Sequence, residues 1–187
     1  MKTTTAAAHH GAGENPVPMV DGFEVLDACH RETIARLDEL AALVAGLGDS
    51  DPDAAARATA AGIVRFFSTT AREHHQDEEQ HVFANLLAGG SEEVVHAVQR
   101  LRQDHGWLEE DWRELEPQLD ALASGQSWVD RDVLREGAEI FVALSRDHVA
   151  LEESFIYPQA RAMIRDPQRL AMGREMAARR RAGRRQG

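Results

Sequence analysis

From Gly22 onward the apolar residues fall at helical spacing. Phe23, Leu26, Ile34, Leu37, Leu40, Leu43 and Val44 share one face, until the run GLGDSDPD breaks the pattern with Gly, Asp and Pro. A second periodic stretch runs from about Asp53 to Leu87 through Ile63, Phe66, Phe67, Val82, Phe83 and Leu86, and stops at Gly89-Gly90. Ser91, followed by Glu92 and Glu93, is a helix N-cap with acids in the first turn. It opens a third helix through Val98, Leu101, Trp107, Leu108, Leu115 and Leu122, in which Pro117 is expected to produce a kink. The fourth helix is expected from Trp128 or Val129. It carries Leu134, Ile140, Phe141, Leu144, Leu151, Phe155 and Ile156, and bends or ends at Pro158. Residues 168–182 predict a short exposed helix.

No stretch shows the strict alternation of a half-buried strand, so the fold class is all-α. Four long helices on short connections pack most economically antiparallel, as an up-down-up-down four-helix bundle. The expected organisation is a flexible N-terminal segment over 1–20, the bundle over 21–165, and a basic C-terminal tail over 166–187, helical in part. The chain of 187 residues suits one domain with a substantial core.

Charge changes the picture at one end. The formal net charge is −11, yet nine arginines against Asp166 and Glu175 give residues 161–187 a balance of +7, leaving about −18 on the rest. Such a body repels nucleic acid and anionic membranes, and an arginine-rich tail can dock on an acidic partner or on the body itself. Cys29 is alone, the first residues lack the apolar core of a secretory signal, and no stretch nears 18 apolar residues. These features predict a soluble cytoplasmic protein. His9 and His10, in the lead-in, are expected to have no specific role.

The remaining histidines fall into register. In an antiparallel bundle, residues equally far from the turn joining their helices sit level, since both helices rise about 1.5 Å per residue. His74 and His105 each lie fifteen and a half residues from the middle of Gly89-Gly90. His30 and His148 match this level within three or four residues, taking the other turns near Ser50 and Gly125. Three of the four are followed at i+4 by a carboxylate: His74 by Glu78, His105 by Glu109, His148 by Glu152. Residues i and i+4 share a helix face, so each pair aims imidazole and carboxylate into one space. His30 has Ile34 there instead.

A single such pair is commonplace on a solvated helix. Three pairs and a fourth histidine at one height are not, and burying them costs several kcal/mol unless they are paired or bind metal. Imidazole and carboxylate without thiolate suit non-haem iron, with manganese and zinc also admitted. The donor count exceeds one tetrahedral site and suits two metals about 3.5–4 Å apart, bridged by carboxylates.

The motifs CHRET around His30, HHQDEEQHVF around His74 and Glu78, DHGWLEED around His105 and HVALEESFIYP around His148 and Glu152 resemble the hemerythrin-like, or HHE cation-binding, family. The resemblance covers about residues 22–160, including the EE doublets and the aromatics Phe83 and Tyr157; a proline follows only the second, as Pro158. It implies two non-haem iron ions with an oxo or hydroxo bridge, Glu78 and Glu152 bridging, His30 and His74 on one iron, His105 and His148 on the other. Oxygen-carrying hemerythrins have a histidine where this chain has Glu109. A carboxylate ligand there favours ferric iron, which shifts the expected chemistry from reversible oxygen carriage toward peroxide breakdown, nitric oxide handling, or redox and iron sensing. The expected partner is a small ligand such as O2, NO or peroxide, with no nucleic acid and no membrane. Whether the chain turns over a substrate, and its oligomeric state, stay open at this stage.

Other residues carry weaker expectations. His75 and Glu79, rotated about 100° from His74 and Glu78, are expected to face a neighbour or solvent and to act structurally or through outer hydrogen bonds. His81 lies on the stripe of His74 but about 10 Å along. Cys29 is expected as a small buried side chain, Trp107 and Trp112 as packing groups. A ferritin-like di-iron site built on Glu78, His81, Glu93 and His96 would place its two halves roughly 10 Å apart along the axis. The alternative function is a metal-free structural module that recruits a partner through its arginine-rich tail.

Overall fold

The structure is a computed structural model that describes residues 20–48, 51–126 and 128–183. The lead-in with His9 and His10, the first connection at Ser50, and the last four residues lie outside the described residues. Among those described, the secondary structure is entirely helical, in five rods. Rod α1 is Gly22–Gly46. Rod α2 covers 54–89 as consecutive segments Ala54–Arg65, Phe66–Ala71, Arg72–Asp77, Glu78–Phe83 and Ala84–Gly89, of which the second and fourth are π-helical turns. Rod α3 is Glu92–Ala123. Rod α4 covers 131–163 as Arg131–Leu151, a π turn Glu152–Ile156, and Tyr157–Met163; α5 is Asp166–Gly183.

The rod starts follow from side-chain capping. Asp21 accepts from the Phe23 amide, Asp53 from Ala56, Ser91 from Val94 and Asp130 from Asp132 and Val133. Because Asp130 is the cap, α4 begins at Arg131 rather than at Trp128 or Val129, and Trp128 is exposed. Rod α3 continues through Pro117 without a break. Pro158 sits just past the π turn in α4, where the register of backbone bonds is already shifted, so the helix runs on to Met163.

Each long rod touches the next and α4 returns to α1, so the four close a ring. The core inside that ring comes in two separate stacks. One holds Leu37, Leu40, Ile63, Phe67, Trp112, Leu119, Leu134 and Phe141. The other holds Phe23, Leu26, Val82, Phe83, Leu86, Val98, Leu101, Ile156 and Tyr157. Along every rod the switch from one stack to the other falls at the histidines, at His30, His74, His105 and His148. A buried polar layer therefore divides the apolar interior into two. Trp112 packs as expected, at 6% exposure, whereas Trp107 lies outside the core at 48%.

Rod α5 is not the exposed helix that its composition predicts. Met172 and Met176 are buried in the second stack, and α5 packs along α1. The approach is close enough that a Cβ on Gly173 would come within 2.0 Å of the Val20 carbonyl oxygen. Its arginines serve the body: Arg169 pairs with Asp21 at 3.3 Å, and Arg179 and Arg180 reach Asp77 at 2.8 and 3.5 Å. Asp77 is 2% exposed and immediately precedes Glu78, so α5 holds the outer side of the turn whose inner side carries a central carboxylate. Burial pushes the Asp77 carboxyl up, and the two guanidiniums oppose that. Replacing Met176 with Ala is expected to cost about 2–5 kcal/mol in urea unfolding, the range for truncating a buried methionine; an exposed helix would show almost no change.

Candidate metal centre

The polar layer contains two clusters of donor atoms that share one residue. His30, His74, Glu78 and Glu152 form the first, and His75, Glu78, His105 and His148 the second; within each, the ligand atoms lie within 4.8 Å of one another. Glu78 and Glu152 are both 0% exposed. Glu78 Oε1 faces His74 Nε2 at 3.3 Å and His30 Nε2 at 3.7 Å, while its Oε2 faces His105 Nε2 at 3.5 Å. Glu152 does the same from α4: Oε2 is 3.2 Å from His30 Nε2 and Oε1 is 3.3 Å from His148 Nε2. Each carboxylate thus turns one oxygen to each cluster.

These separations suit neighbouring ligands better than hydrogen-bonded partners. Donors bound at about 2.0–2.2 Å and at right angles around one metal lie about 3 Å apart. Glu78 Oε2, both oxygens of Glu152, and the Nε2 atoms of His105 and His148 are buried and have no hydrogen-bond partner among the described residues. Buried polar atoms are nearly always satisfied, and this set of inward-facing nitrogens and carboxylate oxygens is what a cation requires.

Two of the outer nitrogens, on His30 and His105, carry the matching signature. Ligating histidines characteristically give the second ring nitrogen to a carboxylate or carbonyl. His30 Nδ1 meets Glu153 Oε1 at 3.1 Å and His105 Nδ1 meets Glu79 Oε1 at 2.9 Å. His148 Nδ1 lies 3.8 Å from Asp104, which is 2% exposed. The EE doublets therefore divide their labour: Glu78 and Glu152 turn inward, while Glu79 and Glu153 orient a histidine of another rod.

The π turns explain how the rods present these groups. Two of the three begin at a central glutamate, Glu78 and Glu152, and the one at Glu152 closes with the Tyr157 amide bonded to the Glu152 carbonyl, an i+5 step. A π turn brings i and i+5 onto one face, so Phe83 follows Glu78 inward and Tyr157 follows Glu152. Tyr157 is 2% exposed; its hydroxyl donates to Glu78 Oε1 at 2.5 Å and its ring stacks on His30, centroids 5.0 Å apart. Burial pushes the phenol well above its ordinary value, and the charges of Glu78 and Glu152 push it further, so it remains a donor. Its contact with a central carboxylate was not legible from the motif; the five-residue spacing from Glu152 is the signal that points to it.

The sequence expectations divide. His30, His74, Glu78, His105, His148 and Glu152 converge in the layer. Glu109 does not. It is about half exposed and pairs with Arg72 at 2.6 Å, outside both clusters. His75, expected to face a neighbour or solvent, instead stacks on His105 with centroids 4.1 Å apart and joins the second cluster. His81 turns to Glu175 of α5 at 3.7 Å, and Glu93 and His96 lie exposed on α3, so no ferritin-like pairing with Glu78 forms. Cys29 is buried, as expected.

Burial disfavours charging His30, His74, His75, Glu78 and His148, but the groups facing them reverse this for all except His75. For His30, burial is outweighed by the facing carboxylates of Glu152 and Glu78, which raise its pKa to about 9. For His148, burial is outweighed by the charge of Glu152 and by the nearby carboxylate of Asp104, giving about 10. Glu78 is held well below the usual carboxylate range against burial, chiefly by His74 and by the facing imidazoles of His105 and His30. His75 goes the other way: burial and the adjacent His105 push it well below 6.5, so it stays neutral and free to donate its lone pair.

The sign of the pH dependence follows. A raised histidine pKa stabilises the fold fully below its unfolded value of 6.5, and that contribution is lost as pH rises through about 9 to 10. The lowered Glu78 contributes above 4.5 and loses its contribution as pH falls. Chelator-treated protein is therefore expected to lose thermal stability between about pH 7 and pH 10. Circular dichroism melts checking this should not show a flat or rising midpoint.

The chain matches the family described as the Hemerythrin HHE cation binding domain over residues 21–160. It is also 28% identical, over 158 residues, to an uncharacterised protein of Haemophilus influenzae, an alignment that covers 84% of this chain and 89% of that protein. No helix among the described residues is long and apolar enough to cross a membrane. The family match spans the four rods that carry the polar layer, and the protein belongs to the hemerythrin HHE cation-binding family.

Proposed function

We propose that this chain is a non-haem di-iron protein of hemerythrin type, an up-down-up-down four-helix bundle that binds or reacts with a small diatomic or peroxide ligand such as O2, NO or H2O2. The observation that carries the proposal is the shared position of Glu78, whose two oxygens face two separate sets of imidazoles. His30 and His74 would hold one ion, His75, His105 and His148 the other, with Glu78 and Glu152 between them and an oxo or hydroxo bridge completing the pair. Iron held there supplies electrons to, or accepts them from, a bound small molecule.

The chain's own residues divide the remaining work. Glu153 and Glu79 fix the orientation of His30 and His105. Tyr157 keeps its proton and donates it in a hydrogen bond to Glu78 Oε1, the oxygen that faces His30 and His74, so the two subsites differ. With Glu109 outside the layer, the second subsite has three imidazoles in place of the expected extra carboxylate, which withdraws the argument for ferric iron based on that residue. The lone buried Cys29 supports a reducing, cytoplasmic setting.

The alternative, a metal-free module recruiting a partner through its arginine-rich end, has less support. Arg161, Arg169 and Arg179 pair with Asp27, Asp21 and Asp77 of the same chain.

Metal-free protein titrated anaerobically with ferrous iron is expected to bind about two ions per chain. Glu78→Ala and His75→Ala should each lower that number, and Glu109→Ala should leave it unchanged. Because His30 and His148 are protonated near neutrality, uptake should release protons and affinity should rise with pH. Calorimetry in buffers of different ionisation enthalpy measures the release. Failure to bind iron, or loss of iron from Glu109→Ala but not His75→Ala, would contradict the assignment.

A further inference from the structure

A cavity of about 360 Å³ adjoins the polar layer and touches all five of its histidines. Its deeper wall is apolar, with Phe67, Leu108, Trp112 and Phe141, and these are buried. Its exposed lining residues are Arg72, Gln76 and Glu79 on α2 and Arg102, Gly106 and Glu109 on α3. All six line one seam, so the cavity opens to solvent between these two rods.

The seam has an ordered construction. At one end Arg72 pairs with Glu109 at 2.6 Å, and at the other Arg102 lies 3.9 Å from Glu79. Gln76 and Gly106 occupy the same seam between those pairs, one on each rod. A Cβ built on Gly106 would meet nothing within 4 Å, so the helix at this point borders open space. Glycine inside a helix costs stability relative to a residue with a side chain. Its neighbours in sequence are His105, facing the second cluster, and Trp107, facing solvent.

We propose that the gap between Gln76 and Gly106, framed by the Arg72–Glu109 and Arg102–Glu79 pairs, is the route by which small uncharged molecules reach the second cluster. The reading rests on the metal centre for its purpose, but not for its geometry. Each arginine at the rim is matched by a glutamate, so the mouth has no net charge to draw in anions, and passage is decided by size. The residue for which the sequence suggested a metal ligand, Glu109, belongs to this rim.

Filling the gap with Gly106→Leu tests the route, since leucine also favours helix and should not unfold the chain. Gln103→Leu, exposed on the same rod but not lining the cavity, is the control. The first arm needs no metal. In a Trp107→Phe, Trp128→Phe background, Trp112 is the one remaining tryptophan and reports on the cavity wall. Gly106→Leu is expected to cut acrylamide quenching of its fluorescence several-fold, and Gln103→Leu to leave it alone. In the second arm, Gly106→Leu should slow association and dissociation of nitric oxide with the ferrous-loaded protein by about tenfold each, a change of rate without a matching change of affinity. Unchanged quenching in Gly106→Leu would overturn the route even if iron binds normally. Reduced quenching in a chain that binds no iron would uphold the route while removing the metal reading.

Discussion

Two carboxylates with no exposure to water, Glu78 and Glu152, each stand between imidazoles from different helices. Burying such a group alone would cost several kcal/mol, and imidazoles on both sides reduce that cost only when held at the right distance. The rest of the architecture answers this constraint. Four rods bring histidines to one level, and the hydrophobic core yields to them, splitting into a stack on either side. The apolar stacks stabilise the fold; the layer between them specifies how the rods must align, because slipping one rod by a turn would leave charges facing leucine and phenylalanine.

The supporting contacts act on both sides of the layer. Inside, the π turns at Glu78 and Glu152 let an aromatic follow each glutamate inward, which seals the layer against the second stack. Outside, Asp77 hands the same turn of α2 to Arg179 and Arg180 of the last helix. The basic end of the chain, which by composition could serve a partner, is drawn onto the acidic body by this contact and by Met172 and Met176. The asymmetry across the layer has chemical content: Tyr157 donates to the oxygen of Glu78 that faces the first cluster, while Gln76 and Gly106 at the cavity mouth adjoin His75 and His105 of the second in sequence.

Much of this was legible from spacing alone. The level of His30, His74, His105 and His148 follows from the fixed rise of a helix and the position of the turns, and it survives small errors in where those turns fall. Angular position about the rod was harder to read. A residue rotated by about 100° usually leaves the interior, but a layer holding two clusters spans enough of the helix circumference for His74 and His75 each to face a different one. Glu109 shows the converse. Its i+4 relation to His105 gives a shared face, yet one turn along the rod lies the rim of the cavity, where Arg72 is a nearer partner than the layer. The π turns were hidden because their i+5 spacing matches no regular helical period, and the docking of α5 because its low apolar content conceals two buried methionines.

The most direct test of the central claim is a crystal structure of the iron-loaded protein with anomalous scattering measured at the iron edge. Two peaks are expected, one beside His30 and His74 and the other beside His75, His105 and His148, with the carboxylates of Glu78 and Glu152 reaching both. A single peak, peaks away from these side chains, or a fully loaded crystal in which Glu78 contacts no metal would contradict the account.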